Sequence, residues 1–340
     1  MLKLTGKLFM LLLITVASML CACSGEEPEE VVSDKITPQI IFLFSPGGLG
    51  DMSYNDCILE GVQQFKKKNP QVDVFIYSPQ TLEEAERIYT DWLKRPGSNI
   101  PVIFTLASSD YEGLVDRYYD DYTLTDNKKV LLFESLKHYD DARIHTFQVS
   151  MYGASYLSGI TARQCTGDGE ALVLLGSSSD IPIESARDGF IAGFGRDCDV
   201  ECLAEDWTGF VMPVETYRKM SQWAEKYDFI FPVAGGSNAG IYRYSREFPD
   251  SPYLAGMDVD QSGLANQIVG SVVKRFDLLI DEYFSEWLHY GTMPPPQIYG
   301  LESQYVDWML APGFENDYRE LKEKSRGAAI IIEKEYYGLE

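Results

Sequence analysis

The residues best suited to bind a ligand follow two short apolar runs in the second half of the chain. The run 253–257 ends directly in Asp258, whose carboxylate can accept hydrogen bonds from hydroxyl groups. The run Phe229–Val233 leads into Gly235 and Gly236, where the backbone can approach a ligand closely. Unbroken apolar runs are typical of strands buried on both faces of a parallel sheet. Because ligands of open α/β sheets bind at the carboxyl ends of the strands, these residues mark a candidate site.

A glycine-rich loop follows a third apolar run nearer the start of the chain. The run 38–44 predicts a buried strand, and residues 45–55 form the loop. Ser53 and Asp56 have the spacing of a capping box, which predicts that a helix begins there. One interpretation of Tyr54 is therefore purely structural, with its ring packed against the start of that helix.

Strands and helices alternate along the chain, which predicts an α/β fold with doubly wound parallel sheets. Predicted strands lie at 38–44, 72–77, 102–106, 130–133, 146–149, 171–175, 229–233 and 253–257. Predicted helices lie at 82–93, 110–119, 152–164, 184–194, 213–226 and 264–287, the last long and amphipathic. Residues 328–332 are predicted as a final edge strand.

The alternation begins again near residue 146, which predicts two α/β lobes with a hinge and a ligand cleft between them. We assign 37–148 and 261–290 to the N-terminal lobe, and 149–260 and 291–340 to the C-terminal lobe.

The N-terminus has the pattern of an export signal, covering residues 1–22. Its basic start precedes an apolar run, 8–20, that is shorter than the ~20 residues of a membrane-spanning helix. The sequence Leu20-Cys21-Ala22-Cys23 resembles a bacterial lipobox with Cys23 as the lipidated residue. Cleavage before Cys21 and a soluble secreted protein are the alternatives. The polar segment 23–36 is predicted to be a flexible tether.

Composition limits the possible partners. Lys and Arg number 29 and Asp and Glu number 52, a net charge of 29 − 52 = −23, which argues against nucleic acid and disfavours a strongly anionic ligand. Four cysteines follow the tether, of which Cys198 and Cys202 can pair if the chain between them turns back. The three histidines have no ligand spacing from the cysteines, so neither a metal nor a cofactor is expected.

Six motifs in order, spread over about residues 40–280, resemble the basic membrane protein family. Members are lipoprotein solute-binding subunits of ABC transporters, and characterised ones bind nucleosides. The motifs are Gly48-Leu-Gly-Asp-Met-Ser-Tyr-Asn55 with Glu60-Gly61, Gly153-Ala-Ser-Tyr-Leu-Ser-Gly159, Asp180-Ile-Pro182, Val233-Ala-Gly-Gly236, Gly256-Met-Asp-Val-Asp-Gln261 and Ser271-Val-Val-Lys274. The resemblance implies a periplasmic-binding-protein type I fold.

The resemblance also implies roles for individual residues. An aromatic pair would sandwich the nucleobase, while an acid and a lysine would bind the ribose hydroxyls. The implied ligand-binding residues are Asp51, Tyr54, Asn55, Phe210, Gly235, Gly236, Asp258 and Lys274. The alternatives are a core position for Phe210, a solvated helix position for Lys274 and a helix-capping role for Asp260. Departures from the family pattern at Gly50, Met52 and Met212 leave the base identity open.

The resulting hypothesis is a lipid-anchored protein of the bacterial cell envelope that captures a nucleoside-like solute for an ABC permease. The alternative is a surface or sensory lipoprotein that keeps the fold with a changed or lost ligand. An enzyme is disfavoured because the sequence has no Gly-x-Ser-x-Gly, P-loop or His-Glu-x-x-His motif.

Overall fold

The computed structural model describes residues 36–122 and 124–339 of the chain. The predicted signal peptide (1–22), the lipidated Cys23 and all but the last residue of the predicted tether (23–36) lie outside the described residues. Within the described part, no helix is long and apolar enough to cross a membrane.

Twelve strands and nine α-helices make up the described part of the chain. The strands are β1 (Gln39–Phe44), β2 (Asp73–Tyr77), β3 (Val102–Ala107), β4 (Lys128–Phe133), β5 (Ile144–Val149), β6 (Ala171–Ser177), β7 (Asp199–Ala204), β8 (Phe229–Val233), β9 (Tyr253–Asp258), β10 (Ile268–Lys274), β11 (Gln297–Tyr299) and β12 (Val306–Leu310). The helices are α1 (Tyr54–Lys68), α2 (Leu82–Leu93), α3 (Glu112–Tyr118), α4 (Tyr152–Thr166), α5 (Ile181–Phe194), α6 (Pro213–Lys226), α7 (Asn238–Glu247), α8 (Phe276–Tyr290) and α9 (Glu315–Tyr337).

The strands form two six-stranded sheets, one in each lobe. The first has the order β11-β5-β4-β3-β1-β2 and the second β12-β10-β9-β8-β6-β7. Every pairing is parallel except that of β10 with β12. All residues of β3, β6 and β8 are buried, as expected for strands covered by helices on both faces. This arrangement confirms the predicted α/β fold with two doubly wound sheets.

The chain passes between the two sheets three times, and these crossings correct the predicted lobe boundaries. It leaves the first sheet after β5, returns after β10 into α8, and leaves again between β11 and β12. The assignment of 261–290 to the first lobe is therefore wrong for β10, which pairs with β9, although α8 does pack on α1. The assignment of 291–340 to the second lobe is likewise wrong for β11, which pairs with β5.

The predicted helix 264–287 was wrong in its first half. Residues 268–274 form β10, in which every position except Val273 is buried, and a helix begins only at Phe276. Ile268 and Val272 also fit the i, i+4 spacing of a helix, and apolar residues need not alternate in a strand that is buried on both faces, so spacing alone could not separate strand from helix there.

The predicted edge strand at 328–332 was also wrong, because those residues lie inside helix α9. Ala329 and Glu333, four residues apart, are the buried positions of α9, which packs on α4. This tertiary contact outweighs the β-propensity of the three consecutive isoleucines.

The cysteines that follow the tether are free thiols. Cys202 lies in edge strand β7 and Cys198 directly precedes it. An extended strand rises ~3.3 Å per residue, so four residues separate the two by ~13 Å, too far for a disulfide. The proposed pairing of Cys198 with Cys202 is therefore excluded in this conformation.

Helices α4 and α5 approach each other through glycines. A Cβ atom added to Gly193 would lie 2.0 Å from the Tyr156 carbonyl oxygen, and one added to Gly189 would lie 2.2 Å from that of Tyr152. The second lobe therefore depends on the absence of side chains at this contact.

We expect Gly193→Ala to lower the free energy of unfolding by ~1–3 kcal/mol, because the two helices must separate to admit the methyl group. Urea denaturation measures the change. Gly327→Ala in α9 is the matched control, since nothing lies within 4 Å of its added Cβ. That control should leave stability unchanged or raise it by up to ~1 kcal/mol. Equal effects of the two substitutions would contradict the packing argument.

Candidate ligand-binding cleft

A cleft lies where the carboxyl ends of the strands of both sheets meet, and the space between its lining residues, including the part open to solvent, is ≈ 680 Å³. Of the eight predicted ligand-binding residues, seven line this cleft: Asp51, Tyr54, Asn55, Phe210, Gly235, Asp258 and Lys274. Gly236 lies beside it, where an added Cβ would be 3.1 Å from the Phe210 carbonyl oxygen and 3.4 Å from the Asp51 Cβ. The structure thus brings together residues up to 223 positions apart, from Asp51 to Lys274.

Asp51, and not Ser53, caps helix α1. Its carboxylate accepts hydrogen bonds from the backbone N–H groups of Ser53 (2.9 Å), Asn55 (2.9 Å) and Asp56 (3.1 Å). The predicted capping box was wrong, because the Ser53 side chain makes no cap and the Asp56 carboxylate accepts from Gly50 and Met52. Burial raises the pKa of Asp51 to about 6 against the lowering effect of these N–H donors.

The freed Ser53 hydroxyl bridges the two lobes. It donates to Asp258 Oδ2 at 2.5 Å, and Gln261 Nε2 donates to the Met52 carbonyl oxygen at 2.8 Å. Asp258 is the last residue of β9 and has a φ of 68°, a left-handed conformation that is uncommon outside glycine. The first-lobe loop and the end of a second-lobe strand are therefore joined directly at the cleft.

A buried cluster of three charges forms the floor of the cleft. Lys274 Nζ lies 3.4 Å from Asp258 Oδ1 and 3.2 Å from Glu134 Oε1, and the three residues are 5%, 5% and 6% exposed. Burial lowers the pKa of Lys274, but the charges of Glu134 and Asp258 outweigh it, so the net pKa shift is upward. Burial raises the pKa of Glu134, although the carboxylate also accepts from the Val149 N–H at 3.0 Å. The interpretation of Lys274 as a solvated helix lysine was therefore wrong.

Glu134 was not among the predicted ligand-binding residues, although the sequence contains a signal for it. Glu134 directly follows the buried run of β4, just as Asp258 ends the run of β9, and its φ of 59° is also left-handed. An acid at the carboxyl end of an apolar run identified Asp258, and the same rule identifies Glu134 in the first sheet.

Two aromatic rings from opposite lobes contribute to the cleft walls. Tyr54 packs edge-on against Phe276 at 5.3 Å between centroids, and Lys274 Nζ lies 4.9 Å from its ring. The buried Tyr54 hydroxyl has no hydrogen-bond partner among the described residues. Phe210, in the short 3-10 turn Trp207–Val211, packs on Gly176 and Gly235, since an added Cβ would lie 2.4 Å and 3.3 Å from its ring, respectively.

Asp110 and Asp180 are two further acids in the cleft that were not predicted as ligand-binding residues. They come from opposite lobes, and Ser109 Oγ donates to Asp180 Oδ1 at 3.2 Å across the gap. Burial, followed by the charges of Asp110 and Glu134, raises the pKa of Asp180 to about 7. Burial likewise raises the pKa of Asp110. The described lining residues thus carry five carboxyl groups and one ammonium group.

The arrangement suits binding through hydrogen-bond acceptors and aromatic surfaces. Cys57, the thiol nearest the charged cluster, donates to the carbonyl oxygen of Lys274 at 3.4 Å, and burial raises its pKa to about 12, so it stays protonated. No group of three or more His, Cys, Asp or Glu among residues 36–122 and 124–339 is arranged to hold a metal ion.

Comparison with known proteins gave a family match, relatives and fold neighbours. The model of a family described as ABC transporter substrate-binding protein PnrA-like matches residues 39–335. Basic membrane protein A1 of Borrelia garinii subsp. bavariensis is 24% identical over 328 residues, covering 90% of this chain and 88% of the relative. Basic membrane protein A of Borreliella afzelii is 23% identical over 297 residues, covering 86% and 87%.

Solved structures share the fold at low sequence identity. An ABC transporter solute-binding protein from Aeropyrum pernix K1 has a TM-score of 0.67 at 17% identity, over 88% of this chain and 86% of that one. A carbohydrate transporter solute-binding protein from Agrobacterium radiobacter, in complex with D-arabinose, has a TM-score of 0.59 at 13% identity, over 84% and 98%. These likenesses confirm the predicted periplasmic-binding-protein type I fold.

We expect the melting temperature of the protein to fall as pH rises from 5 to 8. Asp180 has a raised pKa of about 7 in the folded chain but ~3.9 when unfolded, so the folded state binds more protons between these values. The contribution of the protonated Asp180 to stability is therefore complete below the unfolded pKa of ~3.9 and is lost as the pH rises through the folded pKa of about 7. Since 1 kcal/mol moves the midpoint of a domain of 150–250 residues by ~2–4 °C, the fall should be several degrees.

Asp180→Asn, which keeps an oxygen for Ser109 to donate to, should flatten this pH dependence in differential scanning calorimetry. Asp250→Asn is the control, because that residue is exposed. A slope that Asp180→Asn leaves unchanged would show that another group causes it.

Proposed function

The chain belongs to the family of PnrA-like ABC transporter substrate-binding proteins, and from this premise we propose that it captures a nucleoside-like solute and delivers it to an ABC permease. The observation that carries the proposal is the buried Glu134–Lys274–Asp258 cluster set beside aromatic rings from both lobes. A nucleoside has the matching parts, because it joins a flat ring system to a sugar rich in hydroxyl groups.

Each part of such a solute has a partner in the cleft. Tyr54 and Phe210 offer ring surfaces, and stacking of a base on an aromatic side chain contributes ~1–3 kcal/mol. Asp258 and Glu134 offer carboxylate acceptors for ribose hydroxyls, and hydrogen bonds to charged groups contribute ~1.5–3 kcal/mol each. Lys274, held between the two acids, can donate a further hydrogen bond to the sugar.

The charge of the cleft narrows the class of solute. Five carboxyl groups face one ammonium group among the described lining residues, and the whole chain has a net charge of −23. A phosphate would therefore be repelled, which favours a nucleoside over a nucleotide. The aromatic rings favour a ring-bearing solute over a monosaccharide.

The protein works outside the cytoplasm, at the cell envelope, as an ABC substrate-binding protein does. We propose that Cys23 carries a lipid that anchors the folded body to a membrane through the tether 23–36. The family is one of solute-binding proteins, and we propose that the bound solute leaves the cleft chemically unchanged.

We expect Asp258→Asn to weaken nucleoside binding by ~10–100-fold, since it removes the charge from an acceptor of sugar hydroxyls. Asparagine tolerates the left-handed conformation at this position better than alanine does, so the backbone is preserved. Titration calorimetry measures the affinity for a purine nucleoside, a pyrimidine nucleoside, a nucleoside 5′-monophosphate and D-ribose.

The matched control for this substitution is Asp260→Asn, two residues further on and exposed. It should bind like the wild type. Equal affinities of all three proteins would remove Asp258 from the site. Binding of D-ribose or the monophosphate in preference to every nucleoside would refute the proposed solute class.

We expect Cys23→Ser to move the protein from the membrane fraction to the soluble fraction, because serine cannot accept the thioether-linked lipid. Immunoblotting of fractionated cells measures the distribution. Cys21→Ser is the matched control and should stay with the membrane. If only the Cys21→Ser variant moves to the soluble fraction, the lipid is attached to Cys21. If both variants stay in the membrane fraction, a lipobox anchor is excluded.

A further inference from the structure

We propose that Glu333, on the C-terminal helix α9, is a positioning residue that clamps two of the three interlobe crossings together and so sets the angle between the lobes. The inference concerns how the cleft opens and closes. It does not depend on which solute the cleft binds.

One buried carboxylate accepts hydrogen bonds from both crossing segments. Glu333 Oε1 accepts from Ser150 Oγ at 2.6 Å and from the Gly153 N–H at 2.9 Å. Its Oε2 accepts from the Leu301 N–H at 2.7 Å. Ser150 lies on the crossing after β5, Gly153 lies in the first turn of helix α4, into which that crossing leads, and Leu301 lies on the crossing between β11 and β12. Both crossings are therefore hydrogen-bonded to the same side chain.

Two glycines make this close approach possible. A Cβ added to Gly300 would lie 2.4 Å from Glu333 Oε2, and one added to Gly153 would lie 3.0 Å from the same oxygen. Glu333 itself is only 5% exposed. The carboxylate thus occupies a space that exists only because Gly300 and Gly153 have no side chains.

Helix α9 is attached to the second lobe by contacts on either side of Glu333. Arg326 donates to the Leu301 carbonyl oxygen at 3.0 Å and pairs with Asp307 on β12 at 2.6 Å. Tyr336 packs against Tyr152 with the rings tilted and their centroids 4.4 Å apart, and its hydroxyl donates to Asp188 on α5 at 3.1 Å. Glu333 therefore moves with the second lobe and accepts hydrogen bonds from the segments that lead to the first lobe.

Lobe closure in a protein of this kind requires large backbone changes at a few residues of the crossings. Hydrogen bonds to an ionised carboxylate are stronger than those between neutral groups, so the three donors resist such changes. The Ser150 N–H also donates to the Tyr299 carbonyl oxygen at 2.8 Å, which ties the two crossings directly. The third crossing, next to Lys274, is tied to the second as well, because the Arg275 N–H donates to the Tyr305 carbonyl oxygen at 2.7 Å.

The clamp is also linked to the cleft through adjacent residues. Val149 donates its N–H to Glu134 Oε2 at 3.0 Å, and the next residue, Ser150, donates its hydroxyl to Glu333. Any movement of this crossing must therefore displace either Glu134 in the cleft or the contact with Glu333. The hydrogen bonds of Glu333 and the geometry of the charged cluster are therefore coupled through the peptide unit that joins Val149 to Ser150.

We expect Glu333→Gln to shift the mean distance between the lobes and to broaden its distribution, because the amide nitrogen cannot accept from both crossings. Nitroxide labels attached to ketone-bearing residues in place of the exposed Lys94 and Glu225, one per lobe, report the distance by pulsed electron paramagnetic resonance. Such labelling of the full-length chain, without added ligand, leaves the native cysteines untouched. Glu335→Gln, exposed on the same helix, is the matched control.

A distance distribution of Glu333→Gln that equals those of the wild type and of Glu335→Gln would overturn the proposal. Near-UV circular dichroism checks that the lobes are folded. Should Glu333→Gln not fold, Ser150→Ala decides the matter, since it removes one donor and should give a smaller shift in the same direction. An unchanged distance distribution would refute the role of Glu333 without bearing on nucleoside binding. Absence of nucleoside binding would refute the proposed function without bearing on the distance measurement. The two proposals are therefore tested independently.

Discussion

The structure depends on burying one ammonium group between two carboxylates that belong to different lobes. Lys274 stands at the point where the chain returns to the first lobe, with Asp258 from the second sheet and Glu134 from the first on either side. Removing three charges from water is costly unless their geometry and remaining hydrogen bonds are good. Ser53 and Val149 supply those bonds, so the cluster forms fully only when both lobes and two crossings are in place.

That requirement accounts for local features that otherwise conflict with sequence rules. Glu134 and Asp258 both adopt left-handed conformations, which cost energy for residues other than glycine and persist where the surroundings fix them. Ser53 stands at a helix start yet gives its hydroxyl to Asp258 and leaves capping to Asp51. Both departures occur at the cleft, where the contacts between the lobes take precedence over the most stable local structure.

The cleft and the hinge are parts of one hydrogen-bonded system. Glu134 accepts from Val149 on the cleft side, and Glu333 accepts from Ser150 on the other side of the same crossing. The two acids thus hold adjacent residues of one crossing from opposite directions. A displacement of Glu134 in the cleft would therefore act on the crossing that Glu333 holds.

The sequence by itself determined the alternation of strands and helices, because unbroken apolar runs between polar helices allow few other folds, and it predicted Asp258, Tyr54 and Lys274, which line the cleft. Only the tertiary structure decided that 268–274 is a strand, that Asp110 and Asp180 join the cleft, and that Glu333 reaches the crossings. The physical reason is the range of the interactions. Periodicity and turn chemistry act between neighbours in the chain, whereas these side chains meet partners up to 183 residues away, whose positions no local pattern encodes.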